Sequence, residues 1–220
     1  MNPIINNSNI SYPHPIDPPD SPSFEDAIKT VKEGKNPFIF VKVLNEEEIK
    51  TLDSLSPIEA KQVVRNLLPN SCLFSADKSA NVDQAKIEKA YEALKRMNEK
   101  INTAELCSFP IAKDNVTLGW HTDSYQIALK DPQAEVLRTT FAIKGATTQF
   151  FLPTEAEYRR FCEINDYQLI VEEVKTITEK NPDRVQSGAP YDICIFHAKA
   201  IHRSPPSSNE DRVFITFVVR

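Results

Sequence analysis

Long hydrophobic runs are missing from this 220-residue chain. No apolar stretch approaches the roughly 18 residues a membrane-spanning helix needs. The Asn-rich, polar N-terminus carries no visible secretory signal. A soluble cytoplasmic protein is expected, with no membrane partner. Cysteine is scarce: Cys72, Cys107, Cys162 and Cys194 are widely spaced and form no CxxC pair. Free thiols in a reducing compartment are the reading that fits this spacing. Positive charge is also short. The formal net charge of −5 argues against binding a nucleic-acid backbone, which calls for concentrated Lys and Arg. There is no basic–aromatic interleaving for RNA, no phosphate-binding glycine loop, and no Ser-His-Asp order with a nucleophile elbow. Histidine is rare too, with four residues in all.

A hydrophobic content of 40% is enough for a core, and the length suits one domain with appendages. Residues 1–23 read as a Pro-rich tail, because proline opposes helix and sheet interiors. His14 lies in it. "NPFIFVKVL" is a β-rich run and an expected strand. "NEEEIKTLDSL" opens a helix capped by Asn45, with Glu46–Glu48 at the positive end of its dipole. "SPIEAKQVVRNLLPN" adds a second helix with Pro57 early and Pro69 beyond its end. "NVDQAKIEKAYEALKRMNEKI", residues 81–101, repeats Ile87, Tyr91, Leu94, Met97 and Ile101 every three or four positions, which predicts a long amphipathic helix.

From residue 104 the pattern turns to short β-branched or aromatic runs. These are "AELCSF", "NVTLGW", "EVLRTTFAIK", "TTQFFL", "YDICIFH" and "RVFITFVV". Such a series predicts an all-β barrel or sandwich. Thr154 and Glu157 have capping-box spacing, so a helical insert is expected near 154–165. "QLIVEEVKTIT" is expected to return to strand. Residues 24–103 then form a strand and helices packed on a β core spanning 104–220.

Three of the four histidines lie in that core. In "LGWHTDSYQ", His121 and Asp123 stand at i and i+2, so on a strand both face one side while Thr122 faces the other. Alone, the pair is weak evidence, and an ordinary exposed strand end accounts for it. Some eighty residues later "YDICIFHAKAIHRSPP" carries His197 and His202, and Arg212 opens the last apolar strand ten residues beyond His202. Arg at the head of a buried strand needs an anion, and its fork suits a carboxylate. A structural salt bridge is the alternative. Two His and one carboxylate on one face of an octahedral metal describe the facial triad of non-haem Fe(II) oxygenases. The same donors also suit Zn(II) with a bound water, in a hydrolase or cupin-like isomerase. A non-catalytic jelly-roll binding module is a third reading.

At these residues the chain resembles the 2-oxoglutarate/Fe(II)-dependent dioxygenase superfamily, whose pattern is His-x-Asp, a distal His, then Arg or Lys about ten residues on. The resemblance implies an α+β protein with a double-stranded β-helix (jelly-roll, cupin-like) core. It implies Fe(II) held by His121, Asp123 and His202, and 2-oxoglutarate as cosubstrate anchored by Arg212. The implied activity is hydroxylase-type C–H oxidation with succinate and CO2 as coproducts. His202 is preferred to His197 as third ligand because only it has Arg212 at the family spacing; His197 is then expected to line the barrel or bond a ligand. The family often has Ser or Thr two positions after the anchoring Arg. Here Phe214 stands there, and Thr216, Tyr125 or Thr140 is the expected substitute contact. "RTTFAIKGATTQFFLP" with "HRSPP" is similar to the narrower, uncharacterised DUF1826 family, through Arg138, Gly145, Thr148 and Phe150. Gln126, Arg138, His197 and Trp120 are candidate substrate contacts. For Trp120, wall packing is the plainer reading; for Arg138, either a substrate anion or solvent. The expected substrate is a small molecule or a protein side chain.

Overall fold

The structure, a computed structural model, describes residues 22–33, 36–69, 81–103, 111–114, 119–123, 137–163, 167–205 and 212–219. The predicted strand at 104–109, most of "NVTLGW", and residues 1–21 of the predicted tail lie outside these. The tail reading ended at residue 23, but Ser23 caps a helix by accepting from the Asp26 amide. That helix, α1, covers Phe24–Lys32.

The remaining N-terminal elements are β1 (Phe38–Val41), α2 (Glu46–Asp53), α3 (Pro57–Leu67) and α4 (Gln84–Thr103). Local chemistry explains their starts. Asn45 with Glu48, and Ser56 with Glu59, form reciprocal capping boxes that satisfy the first free amides of α2 and α3. Glu59 also accepts from the Asp83 amide at 3.0 Å, so one carboxylate joins the start of α3 to the approach of α4. The predicted stripe of α4 holds: Ile87, Leu94 and Met97 are buried and Tyr91 packs at the edge of the same core.

The β elements are β2 (Ile111–Asp114), β3 (Leu137–Lys144), β4 (Gln149–Phe151), β5 (Val185–Ser187), β6 (Ile193–His197), β7 (His202–Arg203) and β8 (Val213–Val219). Two further helices, α5 (Glu155–Glu163) and α6 (Tyr167–Lys180), stand between β4 and β5. The Thr154–Glu157 box starts α5 as its spacing predicted. The strand expectation for "QLIVEEVKTIT" is corrected, because the segment is α6. Its β-branched residues suggest a strand, yet Ile170, Val174 and Thr178 recur at a helical interval and are the buried ones.

The strands form two antiparallel sheets. One has the order β1-β6-β3-β8-β2 and the other β5-β4-β7. The five-stranded sheet has one face against α1–α4, through Val41, Leu137, Phe141, Ile143, Ile193, Ile195, Val213 and Ile215. Alternation sends Phe38, Cys194 and Phe196 to its other face. There they meet Phe150 and Ala200 of the three-stranded side. Phe150 is fully buried and stands between the sheets, with ring centroids 4.8 Å from Phe38 and 5.1 Å from Phe196. The small sheet's outer face packs Phe151, Ile201 and Trp120 against Phe161 of α5 and Ile170 and Val174 of α6. Cys194 is a free, buried thiol, and burial pushes its pKa up. No described helix is long and apolar enough to cross a membrane.

Two outcomes follow from these contacts. Phe150→Ala should destabilise the protein by about 3–5 kcal/mol, because it empties a buried site that both sheets share; chemical denaturation measures it. Glu157 accepts from both terminal nitrogens of Arg184. That pair holds its carboxyl down to about 2, from an ordinary value of 4.5. The ionised form therefore favours folding above about pH 4.5, and the contribution disappears as pH falls through about 2. Glu157→Gln should cost on the order of 2 kcal/mol at pH 7, with a shrinking difference from wild type below pH 4.5 in denaturation curves.

Candidate metal centre

The site begins with a backbone pairing. His121 donates its amide to the His202 carbonyl at 2.8 Å and accepts from the His202 amide at 2.9 Å. This antiparallel bridge adds one residue pair to the open side of β7. Directly paired residues share a sheet face. The two rings accordingly lie side by side, with centroids 4.2 Å apart. β7 pairs in turn with β4, setting Phe150 opposite His202. The imidazole of His202 lies 5.5 Å from the Phe150 ring and 4.9 Å from Phe196. An aromatic wall thus closes one flank of the histidines.

Each ring is held by a carbonyl two residues earlier in the chain. His121 Nδ1 is 2.8 Å from the Gly119 oxygen, and His202 Nδ1 is 2.9 Å from the Ala200 oxygen. A carbonyl oxygen only accepts, so Nδ1 carries the proton in both. In the neutral ring this leaves the Nε2 lone pair free to bind a metal. His202 is neutral at pH 7, since burial first, and then the neighbouring His121, push its pKa down to about 4.

Asp123 completes the group. Its Oδ2 is 3.8 Å from His202 Nε2, within the roughly 4.2 Å span available to two ligands of one ion at about 2.1 Å each. One donor atom from each of His121, Asp123 and His202 lies within 4.8 Å of the others. Two imidazole nitrogens and one carboxylate fit a divalent first-row metal with positions to spare.

The other candidates divide by register. Arg138 and Thr140 alternate with Leu137, Phe141 and Ile143, which face the helices, so both point between the sheets. Arg138 Nε is 3.2 Å from Asp123 Oδ2. Thr140 is cross-strand neighbour to Thr216 on β8. Arg212 is buried, with Nε donating to the Ala146 carbonyl at 2.9 Å and Nη2 to Thr148 Oγ1 at 2.8 Å. Its guanidinium lies 4.0 Å over the Phe214 ring. Burial lowers its pKa only to about 10, so it remains a cation at pH 7.

One expectation is corrected here, that His197 lines the barrel. His197 alternates with Phe196 and follows Ile193 and Ile195 towards the helical face, so it does not line the interior. Its Nδ1 accepts from the Lys199 amide at 3.1 Å. Trp120 is wall packing on the outer face, with Arg203 4.4 Å above its ring. Tyr125 and Gln126 lie outside the described residues. Sequence reasoning missed the ring-holding carbonyls of Gly119 and Ala200, which no residue type announces. It also missed the Thr148–Arg212 bond, although the alternation of Thr148 and Phe150 in "TTQFF" places both on the histidine side.

No family model matches the chain, so the likeness to the DUF1826 family is not shown, and no curated protein matches. Among solved structures the chain is similar to a Pseudomonas putida prolyl-4-hydroxylase, at 11% identity over 92% of this chain and 94% of that one, with a TM-score of 0.45. It is similar to EctD from S. alaskensis with bound Fe, at 13% identity over 95% and 79%, with a TM-score of 0.45. It is also similar to an N-substituted L-amino acid dioxygenase from Burkholderia ambifaria, at 10% identity over 89% and 87%, with a TM-score of 0.44. At this distance the site's own geometry carries the functional reading.

Proposed function

We propose that the protein is an Fe(II)- and 2-oxoglutarate-dependent oxygenase that oxidises a C–H bond and releases succinate and CO2. The carrying observation is the trio of His121, Asp123 and His202, with both imidazoles fixed to present Nε2 beside one carboxylate. Two facing antiparallel sheets support the double-stranded β-helix reading. When bound, Fe(II) supplies O2 activation coupled to decarboxylation of the 2-oxo acid.

The chain's own residues prepare for that chemistry. His121 and His202 present Nε2, and Asp123 offers a carboxylate oxygen beside them. Arg212 is the anchor for the far carboxylate of the cosubstrate. Its reach follows from Thr148, which stands two residues before Phe150, the cross-strand neighbour of His202. Two residues of extended chain span about 7 Å, which brings the guanidinium to the histidine end of the small sheet. Ala146 and Thr148 fix the fork, so little rotamer freedom remains to be lost on binding. Thr140 and Thr216 supply hydroxyls on the adjoining wall in place of the one absent at Phe214. Phe150 and Phe196 keep water from the closed flank.

Anaerobic loading with Fe(II) and 2-oxoglutarate should give a metal-to-ligand charge-transfer band. His121→Ala, Asp123→Ala and His202→Ala should each abolish it. A well-folded, iron-loaded wild type without the band would overturn the cosubstrate assignment. Arg212→Gln should retain metal but weaken 2-oxoglutarate by at least roughly 30-fold, the cost of truncating a buried charge pair. Thr148→Val should weaken it about tenfold, through loss of one hydrogen bond to a charged group. Titration of the band measures both.

A further inference from the structure

A fixed positive charge stands beside one of the three candidate ligands. Arg138 lies on β3, which pairs with β6 on one side and β8 on the other. Its Nε is 3.2 Å from Asp123 Oδ2. The same oxygen is 3.8 Å from His202 Nε2. One carboxylate oxygen thus neighbours both a guanidinium and a candidate metal-binding nitrogen. The Arg138 and Asp123 side chains are mostly enclosed, at 19% and 18% exposed, so water screens the pair only in part.

The contact is one of charge rather than of direction. Nε–H makes no hydrogen bond among the described residues, although Oδ2 is near enough to accept one. Asp123 is therefore not aimed by a donor at Nε, and its aim does not depend on that atom. What Arg138 brings to the carboxylate is its charge, and an arginine cannot switch that charge off.

From this arrangement we propose that Arg138 sets the oxidation state of the iron. Its charge, one carboxylate away from the metal position, weakens the hold of the trio on Fe(III) more than on Fe(II). This assignment rests on the oxygenase reading above. A fixed cation repels a metal ion in proportion to the charge of that ion. Fe(III) carries one charge more than Fe(II), so the one-electron couple between them is displaced towards Fe(II). At an effective dielectric constant of about 20, a unit charge the width of a carboxylate away displaces it by more than about tenfold. Partial exposure brings the figure to about tenfold. The chemistry proposed for the site begins from Fe(II), and iron held as Fe(III) cannot enter it. Arg138 is thus a residue that keeps the site ready, and its effect passes through Asp123.

Two measurements on the full-length protein test this. Dye-mediated redox titration of the iron-loaded protein, without 2-oxoglutarate, gives the midpoint of the Fe(III)/Fe(II) couple. Only iron that His121→Ala loses is counted. Arg138→Gln and Arg138→Met remove the charge in a polar and an apolar form. Each should lower the midpoint by about 59 mV or more, a tenfold change for one electron. Arg138→Lys keeps the charge and should stay within about a third of that shift. Mn(II) binding is the second measurement. Both neutral variants should bind Mn(II) more tightly than wild type, by at least about tenfold. A residue that merely props Asp123 would give the opposite sign, because its removal would loosen the metal. Three results would overturn the proposal: an unchanged midpoint in a folded neutral variant, an equal fall in Arg138→Lys, or weaker Mn(II) binding by the neutral variants. Failure of wild type to take up either metal at the trio would count against the oxygenase reading instead.

Discussion

The pair of backbone hydrogen bonds between His121 and His202 is the constraint on which the rest of the site depends. Some eighty residues separate the two positions in sequence. Two amide–carbonyl bonds of 2.8 and 2.9 Å place them side by side. Once paired, they share a face, and a residue two positions from His121 returns to that face as well. Asp123 therefore needs no separate mechanism to reach the neighbourhood of His202. The same pairing has an electrostatic consequence. Rings 4.2 Å apart cannot both be charged cheaply, and burial pushes His202 further towards neutrality. The fold thus supplies metal-ready nitrogens as a by-product of strand pairing and enclosure.

The small sheet converts a period of two into a division of labour. Thr148, Phe150 and His202 turn inward; Phe151, Ile201 and Trp120 turn outward. The outward set buries itself under α5 and α6. The inward set meets the large sheet through Phe150. Neither half stands alone, because a three-stranded sheet of such short strands has too little surface of its own to be stable. Packing on both faces is what holds the histidine bridge still, and stillness is what a metal site requires. The Glu157–Arg184 pair works in this outer layer. Arg184 also donates from Nε and Nη2 to the Leu152 carbonyl, at 3.0 and 2.7 Å, which links the start of α5 to the end of β4.

Much of this was legible in the sequence where chemistry is local. The Asn45 cap, the Thr154–Glu157 box, the stripe of α4, and the grouping of His121 with Asp123 all depend on residues a few positions apart. The α6 segment misled because composition and period disagreed: Ile, Val and Thr favour strands, but tertiary burial followed the helical interval of Ile170, Val174 and Thr178. His197 misled for a different reason. It stands one residue from an inward position, and a single step along a strand reverses its face. The ring-holding carbonyls were invisible because every residue has one, and their use depends on turns that no side chain signals.

Arg212 and Arg138 show why residue type alone does not assign a role. Both are inward-facing arginines on neighbouring strands. Arg212 donates to a carbonyl and a hydroxyl and lies over the Phe214 ring. Those contacts orient the group. Arg138 instead stands with Nε 3.2 Å from Asp123 Oδ2, so a carboxylate faces its charge within the protein. The same residue type is thus set to different uses by what the fold places opposite it.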